Sequence, residues 1–517
     1  MARTLSAVRA HALEPAGLTC LVVLALLVGL ASALFPAWFV ASVLLVPAVA
    51  ALVLVRPEYA LTATIALVCG LIHPALVPRI PALGGELAAA DAALTILAIY
   101  SVWRFTTEAG RAASPSVAGV RLLGAMMGCF GICFAIAVAT SLSVRELKPA
   151  FVLGETRDLV YLVTLPIAMI ILREEERQDR FVVSIVVLGC LFSVGQILQG
   201  IFNLPVFGSS GMSALETLGR QEDGTTRATT LGLNVIVFSL LLTVGAYAVG
   251  SIRKPLFLLV SGLLFAGIFL TFGRTTYAAV LICGLLVVWW LNKRRLPQLA
   301  LILAIVIGVG SALGAHWKPN TFAAVYYRLT SIGEEINHGY SAQWRFWEAE
   351  AMLPLIKEHP LIGVGLGADY KGSRGSSVRP DLNRYVHNAY LYMAGKMGLP
   401  ALVFFLGFMV CVFAIGRRSA RSHALPWTRI VGATGAAMMI RFWLASVTEP
   451  HLMSDYGVIV IAVAGALVVL SARRTGPVGT SKSAQEKTRR SPVADNEAGV
   501  PTRAQGTTEF DARTVKP

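Results

Sequence analysis

The chain has 517 residues, of which 56% are apolar and 14% charged, against roughly 25% charged in an ordinary soluble domain, and that balance excludes a water-soluble globular protein. Apolar runs of about 20 residues recur along it, each long enough for a hydrocarbon core of ~30 Å, and imply an all-α fold: a polytopic transmembrane helix bundle of about 12 to 14 spans. The net charge of +15 is then partly a topology signal, and no nucleic-acid partner is expected.

In chain order the candidate spans are 17–34, 36–55, 59–77, 87–105, 118–140, 158–172, 180–201, 231–250, 255–272, 275–291, 297–315, 398–416, 428–447 and 456–472, with 158–172 the weakest. The first follows Arg3 and Arg9 and is read as a retained helix, not a cleaved signal, because many spans follow it. All 7 cysteines fall inside apolar runs, which excludes a disulfide or zinc framework.

An inside N-terminus puts Arg253, Lys254, Lys293, Arg294, Arg295, Arg417, Arg418 and Arg421 on inner loops, with Arg56, Arg104, Arg111, Arg173, Arg177, Arg180 and Arg429. It leaves Arg79, Arg145, Lys148, Arg157 and Arg274 outside. The positive-inside bias selects this orientation, with both termini cytoplasmic. The domains are therefore 1–315, holding eleven spans and an outer loop at 203–230, then a large extracytoplasmic loop at 316–388 with short amphipathic helices. Spans twelve to fourteen follow at 389–472, and a disordered cytoplasmic tail at 473–517. No internal repeat at a fixed period is visible.

The two outer loops carry the chemistry. Arg220 and Arg227 lie in the first, partly neutralised by Glu222 and Asp223. Arg274 stands in the one-step connection TFGRTT, where a guanidinium either snorkels to headgroups or grips a lipid-linked phosphate. In the second loop Trp344, Trp347, Ala351, Met352 and Leu355 share one helix face, with Arg345, Glu348 and Lys357 off that stripe. This predicts an amphipathic helix over 342–357 resting on the membrane surface or simply packing on the bundle.

Pro360 stops that helix, and the alternate glycines of HPLIGVGLGADY suit either an approaching anion or a tight turn. His387 and Asn388 precede the twelfth span. An imidazole with a pKa near ~6.5 can take a proton from a hydroxyl nucleophile, and a structural cap is the bland alternative. Arg441 is inside the thirteenth span and needs a partner; Asp91, Asp158 and Glu449 are candidates, and ligand binding is the other reading.

Several segments together resemble the bacterial O-antigen ligase and O-antigen polymerase superfamily: RATTLGLN, GRTTYAAVLICGLLVV, AQWRFWEAEAMLPLIKEHPLIGVGLGADY and HNAYLYMAGKMGLPALVFF. The ligase-type pattern is His, Asn, nine residues, then Gly-x-x-Gly, and His387, Asn388 and Gly398 fit it, while position 401 is Ala and keeps a small residue there. The resemblance implies a membrane glycosyltransferase that moves a glycan from a polyprenyl-diphosphate-linked donor to a glycan or lipid-core acceptor hydroxyl at the outer face of the bacterial cytoplasmic (inner) membrane. It implies Arg227 and Arg274 as diphosphate-binding residues and His387 as the base, with Arg220, Arg345, Asn388 and Arg441 as supporting candidates.

The outer loops hold no Asp-x-Asp motif, so no metal and no cofactor is expected; arginines supply the charge instead. The competing class is a polysaccharide or lipid-linked oligosaccharide transporter of the flippase kind, which the number of spans permits and the missing repeats disfavour.

Overall fold

The structure is a computed structural model that describes residues 51–72, 79–82, 85–108, 118–202, 230–271, 273–302, 304, 340–370, 384–422, 425–449 and 451–473. The first span, most of the second, nearly all of loop 203–230 and the tail beyond 473 lie outside the described residues.

The fold is an all-α polytopic bundle, in keeping with the sequence. Its helices are α1 (Pro57–Val68), α2 (Ala89–Glu108), α3 (Ala118–Ser143), α4 (Pro149–Val160), α5 (Thr164–Ile171), α6 (Glu175–Phe202) and α7 (Leu233–Val249). They continue with α8 (Lys254–Phe269), α9 (Arg274–Asn292), α10 (Tyr340–Glu358), α11 (Ala389–Met397), α12 (Leu399–Arg421), α13 (Pro426–Ala445) and α14 (Asp455–Arg473). A two-stranded antiparallel hairpin, β1 (Arg79–Ala82) with β2 (Gly85–Ala88), is added ahead of α2, pairing Arg79 with Ala88 and Ala82 with Gly85.

Five stretches are long and apolar enough to cross a membrane among the described residues: Gly119–Ser143, Glu175–Gly200, Arg274–Ile302, Leu399–Arg421 and Asp455–Arg473. Leu233–Val249 and Lys254–Phe269 are shorter apolar helices. Several apolar helices in one chain make this a multi-pass membrane protein.

Burial follows from how apolar each helix is around its circumference. α14 is apolar on every face and is buried from Gly457 to Ala472, and α7 is buried along nearly all of its length. Around them pack α5, α6, α9, α12 and α13. In an apolar solvent helices associate through close packing of small residues. Here α12 and α13 cross at Gly416 and Gly432, where a Cβ on Gly416 would lie 2.6 Å from the Gly432 carbonyl oxygen.

One boundary differs from the sequence reading. The weak span 158–172 belongs to a longer helical segment that starts at Pro149 and passes through a single 3-10 turn (Tyr161–Val163) into α5. Residues 149–157 fall outside the span in sequence, where Glu155 and Arg157 interrupt the apolar run, but both charges are matched by distant partners. Arg157 Nε lies 3.0 Å from both oxygens of Asp91, and Lys396 Nζ lies 3.2 Å from Glu155. Between α9 and the helical residues that follow, extended backbone at Asn292 (φ −163°) breaks the helix and Lys293–Arg295 form one 3-10 turn.

The two ends of the bundle can be told apart by their contacts. At one end the α13 cap residue Ser446 accepts the Ala389 amide through its carbonyl at 3.0 Å, and Thr448 Oγ1 meets Thr275 Oγ1 at 3.2 Å. At the other, where α13 begins, Arg429 Nη2 donates to the Leu291 carbonyl at 2.8 Å. Ion pairs of Arg104 and Arg177 with Glu174, and of Arg180 with the buried Glu58, tie the ends of α1, α2 and α6 together.

Candidate functional site

His387 stands in the short segment that enters α11, with its side chain 34% exposed. The next residue, Asn388, is the helix N-cap: its Oδ1 accepts from the amides of Tyr390 (2.9 Å) and Leu391 (3.1 Å), satisfying two of the donors that a helix start leaves open. The capping role weighed for His387 therefore belongs to Asn388, and the imidazole is left for another purpose.

That imidazole is held from below by Glu348. The Glu348 carboxylate, 1% exposed, lies 3.0 Å from His387 Nδ1 through either oxygen and accepts the His387 backbone N–H at 2.9 Å. A carboxylate only accepts, so Nδ1 carries a proton, and in the neutral ring Nε2 is the acceptor. The Tyr385 ring packs edge-on against the imidazole, with centroids 5.0 Å apart at 89°. The Tyr370 hydroxyl is shared between the Tyr385 carbonyl, at 2.7 Å, and Glu348. Burial, and after it the charge of Glu348, push the Tyr370 phenol well above its ordinary range, so it stays a neutral donor.

The sequence expectation that Glu348 lies off the apolar stripe of α10 is overturned. At 3.6 residues per turn position 348 stands about 40° from position 344 and about 40° from position 352, within the stripe rather than outside it. Met352 is fully buried, and a Cβ on Gly395 would collide with its Cε. Met352 thus packs on α11 one turn from the buried Glu348 carboxylate, while Phe346 on the far side is 67% exposed. Helical spacing alone puts Glu348 on the stripe; its polarity led the sequence reading to place it off.

The glycine run forms a tight turn. Gly363, Gly365 and Gly367 all have positive φ (72°, 95° and 81°), which glycine adopts without a Cβ penalty. Its amides are spent inside the protein: Val364 on the Gly395 carbonyl (2.7 Å), Gly365 on that of Lys396 (3.0 Å) and Gly367 on the Glu155 carboxylate (2.9 Å). Glu155 also accepts from Tyr392 Oη at 2.6 Å and Lys396 Nζ at 3.2 Å, and Lys396, wholly buried, donates to the Ala368 carbonyl as well. The anion suited to this loop is a side chain of the same protein, and it ties the loop to α4 and α11.

Among the arginines, Arg274 is the first residue of α9, and its neighbour Thr275 meets Thr448, so it shares the end of the bundle that carries His387. The helix start adds its own partial positive charge there. Arg345 lies on α10 one turn before Glu348, and its charge acts on the Tyr385 phenol. Arg441 is fully buried near the same end of α13, beside the Phe442 ring at 4.9 Å, and of the three carboxylates weighed for it Glu449 is the one whose charge acts on it. Asp91 is taken by Arg157 and by the Tyr161 hydroxyl at 2.7 Å. Arg220 and Arg227 lie outside the described residues. Among the described residues no group of three or more His, Cys, Asp or Glu side chains converges as a metal site would require.

Residues 259–406 match the family described as O-Antigen ligase. The matched stretch runs from α8 into α12 and contains Arg274, Arg345, Glu348, His387 and Asn388. No curated protein matches the chain.

Proposed function

Taking as premise the O-antigen ligase match over residues 259–406, which supports the O-antigen ligase and polymerase superfamily, we propose that this chain is a membrane glycosyltransferase. It moves a glycan from a polyprenyl-diphosphate-linked donor to a sugar hydroxyl of a glycan or lipid-core acceptor, at the outer face of the bacterial cytoplasmic membrane.

In this reading His387 Nε2 takes the proton of the acceptor hydroxyl while that oxygen forms its bond to the anomeric carbon. The bond from that carbon to the diphosphate oxygen breaks, and its electron pair leaves with the lipid diphosphate. The growing charge is balanced by Arg274 at a helix start and by Arg227, with Arg220, Arg345 and Arg441 as supporting cations. Arginines doing this work make the reaction metal-independent. The observation that carries the reading is His387 held through Nδ1 and its own amide by one buried carboxylate, which leaves Nε2 as an oriented acceptor at the end of the bundle that also holds Arg274.

The test is transfer by the purified protein in vesicles holding the lipid-linked donor, in excess chelator. A new glycosidic bond with release of polyprenyl diphosphate supports the enzyme. Movement of the donor across the bilayer without bond formation assigns a transporter instead, and loss of transfer in chelator with rescue by Mg²⁺ overturns metal independence. Glycan analysis of a deletion strain then separates the products: loss of chain length means polymerase, and loss of attachment with intact lipid-linked polymer means ligase.

A further inference from the structure

A second constellation lies at the other end of the bundle, about 30 Å away along the 20-residue α13. Where α7 turns into α8 and α9 ends, a cavity of about 600 Å³ is lined by Arg253, Lys254, Arg294, Arg295, Tyr247 and Gln298 among others, and, among the described residues, by no Asp or Glu. The turn is fixed by Gly250, whose positive φ of 81° lets Ser251 N donate back to the Ala246 carbonyl at 2.9 Å.

The basin is built rather than a loose fringe of side chains. The Tyr247 ring, 2% exposed, is stacked 4.2 Å from the Phe257 ring on one side and lies 5.0 Å from the Arg295 guanidinium. Arg295 donates to the Tyr247 carbonyl, and Tyr247 Oη donates to Gln298 at 3.3 Å. One cation is thereby held in place against a rigid floor, with three more around it.

The charge balance here differs from that where α1, α2 and α6 meet at the same end. Arg104, Arg177 and Arg180 are matched by Glu174 and Glu58. From residue 224 to residue 333 the sequence contains no Asp or Glu at all, so α7, α8 and α9 offer these cations no carboxylate of their own. Among the described residues Arg253, Lys254 and Arg294 form no ion pair. Concentrated positive charge in a concave site is stabilised by an anion brought from outside.

The flanks say which anion. Leu256 and Leu259 just beyond Lys254 on α8, and Trp289 one turn before Asn292 on α9, are exposed, Leu259 at 70%. This apolar surface runs away from the basin along the helices, as acyl chains do from a headgroup, and Trp sits where headgroup meets hydrocarbon. We propose that the basin is a binding site for the phosphate headgroup of an anionic membrane lipid. It does not depend on the glycosyltransferase reading.

The experiment uses the full chain, purified, delipidated and reconstituted in phosphatidylcholine nanodiscs, with fluorescent phosphatidylglycerol as the probe. The triple variant Arg253→Gln, Lys254→Gln, Arg294→Gln is expected to bind the probe roughly tenfold more weakly or worse. The control triple Arg56→Gln, Arg121→Gln, Arg418→Gln removes equal charge from exposed positions of the same end outside the basin and is expected to bind as the wild type does. Equal loss in both variants means diffuse surface attraction and overturns the site, as does unchanged binding in the first. Tighter binding of inorganic pyrophosphate than of phosphatidylglycerol assigns the basin to a soluble anion and overturns the lipid. Should the triple variant elute as an aggregate, Arg294→Glu gives the same reading, because Arg294 bonds to no other described residue and its reversal disturbs no packing.

Discussion

The carboxylate of Glu348 lies 3.0 Å from Nδ1 of His387 and 2.9 Å from its backbone nitrogen, so a single buried acid on one helix fixes both the ring and the chain of a residue that enters another. If that grip orients the base, Glu348→Gln lowers the turnover of glycan transfer by roughly 10- to 100-fold with little change in KM for the donor lipid, because an amide no longer enforces the Nδ1–H tautomer. Turnover per molecule of folded enzyme is the measurement. Wild-type turnover in the Gln variant removes Glu348 from the mechanism and leaves His387 standing on its own test.

That test is substitution of His387 itself. His387→Ala is expected to slow transfer by ~10²–10⁴ while donor binding persists, and His387→Gln to do the same, since an amide accepts no proton at neutral pH. Near-normal turnover by the Gln variant contradicts the role of base. Activity that merely tracks protein abundance points to packing alone.

Arg274→Lys is expected to impair transfer nearly as much as Arg274→Ala, because a point charge loses the two parallel bonds of a guanidinium to a diphosphate. Full activity of the Lys variant at normal membrane abundance rejects the diphosphate contact in favour of a charge that simply faces headgroups.

The pair of Lys396 and Glu155 makes a prediction about stability. Lys396→Met leaves Glu155 with Tyr392 and the Gly367 amide but no cation, and breaking a buried pair from one side costs about 3–5 kcal/mol. Thermal unfolding in detergent reads this as a lowered midpoint, and Lys396→Met combined with Glu155→Gln is expected to recover much of the loss. A single variant as stable as the wild type shows the pair to be dispensable.

Gly363→Ala is expected to destabilise the turn before α11 by about 1–3 kcal/mol or more. Its φ is 72°, and the new Cβ would lie 2.4 Å from the Lys396 carbonyl carbon, backbone that cannot give way. Gly284→Ala, on α9 where a Cβ meets nothing within 4 Å, serves as the control and leaves the unfolding midpoint unchanged or slightly raised.

The sequence by itself determined the membrane class, the all-α bundle and where many of its apolar helices lie, because apolar runs and their length are local properties that a bilayer reads directly. It also singled out His387 and Asn388 ahead of a late span, but weighed the capping role for His387, and the structure gives that role to Asn388, whose Oδ1 satisfies two free amides at the start of α11. What only the tertiary structure decided rests on contacts between distant parts of the chain. Glu155 reaches the Gly367 amide across 212 residues of sequence and Arg157 reaches Asp91 across 66, and no local pattern announces either partner. Glu348 is the sharpest case: the sequence reading set it off the apolar stripe of α10 because residue type alone assigns a carboxylate to solvent, and its burial depends on His387 and Tyr370 arriving to satisfy it.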